Sequence, residues 1–159
     1  MNVQTRPSAQ RQEEEDVQQA KFLTFELGSE TYGLDITYVR EIVGMQTITH
    51  VPDTPGYVRG VINLRGKVIP IMDVRARFNL PDRSYDDRTC IIVINVNEWW
   101  VGLVVDTVSE VLDIPEVSIE PPPQVGTGSS HFIEGMGMVG DKVRLLLDAE
   151  RLLGAAAEL

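Results

Sequence analysis

The chain has 159 residues, of which 43% are hydrophobic, with 14 basic and 24 acidic side chains for a net charge of −10. That length holds one domain or two very small ones, with enough apolar material for a real core. Scattered Lys and Arg in an acidic chain argue against a nucleic-acid backbone as partner, a single cysteine excludes an internal disulfide framework, and no apolar run approaches the ~18 residues of a membrane helix.

Residues 1–19 carry Gln, Arg, Ser and the run Glu13-Glu14-Glu15-Asp16, with almost nothing to bury. They read as a disordered leader without the apolar stretch of a signal peptide, and the expectation is a soluble protein of the reducing cytoplasm. Phe22, Thr24 and Glu26 then alternate with Leu23, Phe25 and Leu27, and Gly28-Ser29-Glu30 turns the chain into Thr31–Leu34, which predicts a hairpin. From Asp35 the period changes. Ile36, Val39 and Ile42 predict one or two helical turns capped by Asp35, and Thr47–Val51 predicts a further strand.

Pro55 to Asp73 reads as two short strands joined at a bend, with Gly60 and Gly66 bracketing the bend residues Asn63, Leu64 and Arg65. Pro70 cannot donate to a ladder, so its strand belongs at an edge or carries a bulge. Val74–Phe78 predicts a short helix capped by Asp73, and the polar link Pro81–Arg88 follows. Cys90–Val96 is nearly all apolar and predicts a strand buried on both faces, with Trp99 and Trp100 opening the next strand through Val105 and pointing to opposite faces. Asp106–Leu112 resembles the short element after Asp35, and Asp113–Gln124, with four prolines, predicts extended coil. Asp141–Leu147 predicts a strand, and Asp148 caps a helix over Ala149–Ala156.

An internal repeat organises these elements. Gly33-Leu34, Val39 and Glu41-Ile42 return as Gly102-Leu103, Val108 and Glu110-Val111 at a constant shift of 69, while Gly60, Ile71 and Asp73 return as Gly135, Leu146 and Asp148 at a shift of 75. The six extra residues fit the Pro121–Gly128 stretch, since loops accept insertions at little entropic cost. The reading is two copies of one barrel-like unit, about 20–82 and 86–152, packed as one body.

Sites for small-molecule chemistry are sparse. Gly135, Gly137 and Gly140 match the glycine spacing of a dinucleotide fingerprint, yet Lys142–Leu147 after them reads as a strand where that motif needs a helix. Gly126–Ser130 lacks the lysine of a phosphate-binding loop. His50 and His131 have no neighbours at metal-ligand spacing, Cys90 sits among isoleucines and valines, and no nucleophile and base stand together. No catalytic, cofactor or metal residue is therefore expected. Arg65, in its glycine-framed bend, has the fork of donors that pins a loop or binds a carboxylate.

TPGYVRGVINLRGKVIPIMDVRARF, with YGLDITYVREIV and WVGLVVDTVSEVL, resembles the CheW family of chemotaxis coupling proteins over about residues 20–153. The resemblance implies a mainly β fold of two pseudo-repeated five-stranded SH3-like barrels with short helices, a C-terminal one over about 148–156 closing the second. It implies a non-catalytic adaptor without cofactor, joining the cytoplasmic tip of methyl-accepting chemoreceptors to the regulatory domain of the histidine kinase CheA, and recruited through these partners to membrane-associated arrays. Receptor helices would dock in a groove between the barrels lined by Val39, Glu41, Gly60, Arg65, Val108 and Val111, with Asn63, Leu64 and Gly66 shaping the bend. The competing readings are a small-barrel nucleic-acid module and a nucleotide-dependent enzyme using the 135–140 glycines.

Overall fold

A computed structural model describes residues 19–122 and 131–154. The strands are β1 (Gln19–Leu27), β2 (Glu30–Asp35), β3 (Val39–Gly44), β4 (Val58–Leu64), β5 (Lys67–Asp73), β6 (Cys90–Val96), β7 (Trp99–Val105), β8 (Thr107–Pro115), β9 (Ile119–Glu120), β10 (Ile133–Val139) and β11 (Lys142–Leu147). Two short helices, α1 (Val74–Arg77) and α2 (Ala149–Leu153), follow β5 and β11. Each is capped by the aspartate the repeat aligns, Asp73 accepting from the Ala76 amide and Asp148 from the Arg151 amide.

Several expected boundaries move. Gln19 already belongs to β1, and the leader, Gly126–Ser130 and the last residues of the expected C-terminal helix lie outside the described residues. The helical turns predicted from Ile36 to Ile42 reduce to one 3-10 turn, Ile36–Tyr38, with Asp35 accepting from the Thr37 amide at 2.9 Å. Val39, Ile42 and Val43 are β-branched and pair along β6, so the chain runs extended as soon as the capped turn ends. Its counterpart after Asp106 is likewise a strand, β8, which reaches Pro115 before a 3-10 turn and the two-residue β9 break the expected coil. Thr47–Val51 makes one antiparallel bridge, Thr49 to Val61, and no named strand.

The strands form two sheets, six-stranded in the order β8-β1-β2-β11-β10-β9 and five-stranded in the order β3-β6-β7-β5-β4. Each sheet curls back on itself. The segment following edge strand β3 bridges the opposite edge strand β4, and in the other sheet β9, shortly after edge strand β8, pairs with β10. The expectation of one barrel per repeat copy, over about 20–82 and 86–152, does not describe these sheets. Hairpin β1–β2 of the first copy pairs with β8 and β11 of the second, and hairpin β6–β7 of the second pairs with β3 and β5 of the first. A hairpin satisfies one edge of each of its strands locally, and the remaining edges are satisfied across the repeat.

Three apolar clusters hold this arrangement. The largest joins the sheets and includes Phe25, Leu34, Met72, Ile92, Leu103 and Leu152. The five-stranded barrel encloses Ile62, Leu64, Ile69, Ile71, Ile91, Val93 and Val104, and the six-stranded one encloses Phe22, Ile114 and Leu146. Ile91 and Val93 face one barrel interior while Ile92 and Ile94 face the shared core, so β6 is buried on both faces as its composition predicts. Each such side chain contributes about 1.5–3 kcal/mol by leaving water.

Candidate functional site

The bend between β4 and β5 is a two-residue turn in which Arg65 (φ 52) and Gly66 (φ 86) both take left-handed backbone. Such a turn matches the twist of the flanking strands. The Asn63 side chain accepts from the Gly66 amide at 2.8 Å, and Leu64 is buried in the five-stranded barrel. Anchored in this way, Arg65 reaches out to donate to the Glu41 carboxylate of β3. The pair links the β4–β5 turn to the opposite edge strand of the same sheet. Arg65 is 69% exposed and Glu41 32%, so the pair lies at the rim where a partner carboxylate or amide has access to it.

Val39 and Val108 are half-buried, and both pack on the cluster shared between the sheets. Val39 lies on β3, an edge of the five-stranded sheet, and Val108 on β8, an edge of the six-stranded one. Near Val108, burial pushes the Cys90 thiol up, while hydrogen bonding from the Val108 backbone works in the opposite sense. A raised thiol pKa leaves Cys90 inert at neutral pH. Val111 is 51% exposed on β8, and its repeat counterpart Ile42 is 45% exposed on β3, so each edge strand presents one aliphatic side chain to solvent. Ile42 was legible as the match to Val111 in the repeat.

Gly60 has a different part. It is buried at φ 141, and a β-carbon there would collide with the Thr49 carbonyl, so this glycine seats the segment that closes the barrel and offers no surface to a partner. The expected groove residues thus fall into a joined pair, Glu41 and Arg65, two valines on one shared core, the exposed Val111, and a buried backbone site. Gly135 and Gly137 lie within β10, paired with β11 and β9, and β11 continues as a strand, so the helix N-terminus that a dinucleotide needs does not follow these glycines. Trp99 is exposed, while Trp100 packs on the five-stranded barrel under the Lys67 ammonium, 3.4 Å from the ring centroid.

A charged network around the link escaped the reading of the sequence. Asp106 accepts from Arg75 Nε at 2.7 Å and Nη2 at 2.6 Å, from Arg83 Nη1 at 2.9 Å and from the Gly28 amide at 2.8 Å. The Arg75 hydrogen bonds hold its carboxyl below the ordinary carboxylate range in spite of burial. Asp73, 2% exposed, accepts from the Tyr85 hydroxyl at 2.9 Å, and burial, then that bond, push Tyr85 up to about 12. Among the described residues no group of three or more His, Cys, Asp or Glu is placed to hold a metal, and no helix is long and apolar enough to cross a membrane.

The family model described as CheW-like domain matches residues 21–157. The chemotaxis protein CheW of Klebsiella aerogenes is 41% identical over 136 residues, covering 85% of this chain and 82% of that protein. The chemotaxis protein CheW of Treponema pallidum is 32% identical over 143 residues, covering 87% and 84%. A crystal structure of the scaffolding protein TtCheW from Thermoanaerobacter tengcongensis is similar at a TM-score of 0.80 and 41% identity, covering 85% of this chain and 92% of that one.

Proposed function

The chain belongs to the CheW-like family, and from that membership we propose that it is a non-catalytic chemotaxis adaptor coupling methyl-accepting chemoreceptors to the regulatory domain of the histidine kinase CheA. The observation that carries the reading furthest is the placement of Val39 and Val108. They are equivalent in the repeat, lie on edge strands of opposite sheets, and rest half-buried on one shared core. A rod-shaped receptor tip takes its affinity from a few aliphatic anchors, and two such valines with Val111 and Ile42 beside them supply these, while Glu41 and Arg65 supply a polar rim. In this reading the protein is cytoplasmic, reaches receptor arrays through its partners, and binds no nucleic acid.

The test is capture of the purified chain by a chemoreceptor cytoplasmic fragment and, separately, by the kinase. Retention by both, and co-retention of the kinase on the receptor only when this chain is present, is the expected result. Failure to bind either partner overturns the proposal.

A further inference from the structure

Strands β8 and β3 each carry one residue more than the strand they pair with. Val108 lies opposite Phe25 and Val111 opposite Leu23, so three steps along β8 match two along β1. Val39 lies opposite Ile94 and Ile42 opposite Ile92 in the same way, with Arg40 the extra residue of β3. Opposed residues of an antiparallel pair share a face of the sheet, and Leu23, Phe25, Ile92 and Ile94 all belong to the shared core. Val108 and Val111, three apart on β8, therefore point the same way, and so do Val39 and Ile42 on β3. A regular strand alternates and would turn one member of each pair to the opposite face. The two bulges are what set four aliphatic side chains on the faces that flank the shared core.

The bulges are held differently. On β3 the ladder resumes at once, with Glu41 opposite Val93. At the matching place on β8, Glu110 drops out of the register with β1. Its amide donates to the Thr24 hydroxyl at 3.1 Å, and its carbonyl accepts from the same hydroxyl at 2.8 Å. Thr24 is 1% exposed, so water is no ready substitute for either bond. Its counterpart at the repeat shift is Val93, an apolar side chain inside the other barrel. We propose that Thr24 is a positioning residue for receptor binding, its hydroxyl holding the β8 bulge that turns Val108 and Val111 together toward the groove. This role rests on the adaptor reading above, and Thr24, being buried, acts through the two valines.

Two substitutions separate the hydroxyl from the shape of the side chain. Thr24→Val keeps the branched shape and removes both bonds, whereas Thr24→Ser keeps the hydroxyl. The full-length wild type and both variants are titrated with the chemoreceptor cytoplasmic fragment and, separately, with the kinase, and amide hydrogen exchange is followed at Glu110. Without the two bonds a smaller share of molecules holds the bulge, so Thr24→Val should bind the receptor fragment roughly tenfold more weakly. Its Glu110 amide should exchange faster and its kinase affinity should be unchanged, while Thr24→Ser should return all three readings close to wild type. Wild-type receptor affinity in Thr24→Val overturns the proposal, as does a Thr24→Ser chain as weak as Thr24→Val. A Thr24→Val chain that loses receptor and kinase affinity together, or does not fold, makes Thr24 a core residue only and also overturns it. A wild-type chain that binds no receptor fragment while its Glu110 amide is protected overturns the adaptor reading itself, and the role of Thr24 with it.

Discussion

Leu146 lies in register beside Gly33 on the parallel strands β11 and β2, its Cδ2 atom 2.8 Å from where a β-carbon on the glycine would sit. The other sheet repeats the relationship with Ile71 and Gly102, at 2.7 Å from Cδ1. The two parallel seams between the repeat copies are therefore each closed by an aliphatic side chain lying over a glycine. Gly102 is also pinched by Ile91 Cγ2 at 2.7 Å, whereas Gly33 has Phe22 Cβ at a looser 3.4 Å. Alanine recovers about 0.5–1 kcal/mol of backbone entropy, but overpacking of a filled core costs ~1–3 kcal/mol. Gly102→Ala should lose the larger share and Gly33→Ala close to none, a difference of about 2–4 °C per kcal/mol in thermal unfolding. Equal melting temperatures for the two variants would refute this account of the seams.

Asp106, the acceptor at the centre of the charged network, predicts acid sensitivity. Asp106 has its pKa lowered in the folded chain, chiefly by hydrogen bonds from Arg75, so the folded state binds fewer protons than the unfolded one. Its contribution is present above the unfolded carboxylate pKa and is lost as pH falls through the folded value. Asp106→Ala should flatten the fall of stability below about pH 4 and, by leaving Arg75 largely buried without its carboxylate, cost roughly 3 kcal/mol at neutral pH. Urea unfolding of both proteins at pH 7 and pH 3 measures it, and an unchanged pH slope would rule the mechanism out.

The repeat was legible in the sequence to the level of single contacts, since the residues it aligned, Gly33 with Gly102 and Leu146 with Ile71, are those that meet at the two seams. Which copy supplies each partner was not legible, because a constant shift states equivalence and is silent about pairing. β3 and β8 were misread because the cap at Asp35 is real and lasts only one turn, after which β-branched residues follow the neighbouring strand. That Arg65 would bind a carboxylate was legible from the glycine-framed bend, and Glu41 stood among the groove residues the resemblance implies. Arg75 to Asp106 was not, as its members stand 31 residues apart in segments without periodicity. Gly60 entered as one bracket of the bend and, through the resemblance, as a groove residue; its positive φ and the Thr49 carbonyl packed against it were not legible, because both depend on a segment distant in sequence.

Arg65→Glu places two carboxylates at the rim where an ion pair stood. Arg65 is mostly solvated, so stability should change by no more than about 1 kcal/mol. Receptor binding should be lost if the rim recognises the partner, and the charge-reversed pair Arg65→Glu with Glu41→Arg should recover part of it. Normal receptor binding by the single variant would reduce the pair to a tie across the barrel edges.

The half-burial of Val39 and Val108 sets two roles against each other, and separate readouts divide them. Both rest on the shared core, so each replacement touches stability, yet neither is fully enclosed and the exposed part is free to bury against a partner. If the groove is built from both copies, Val39→Asp and Val108→Met should each weaken receptor binding by ~1–3 kcal/mol, through lost burial in one case and overpacking in the other. Kinase binding should persist if the kinase uses a surface other than this groove. Val111→Glu sharpens the comparison, because its side chain is half exposed and outside the shared cluster, so it should weaken receptor binding with almost no change in melting temperature. Thermal unfolding and the two affinities measured for all three variants decide the matter. Should receptor and kinase affinity fall together with the melting temperature at Val39 and Val108, and Val111→Glu bind the receptor normally, these valines are core residues and the receptor docks elsewhere.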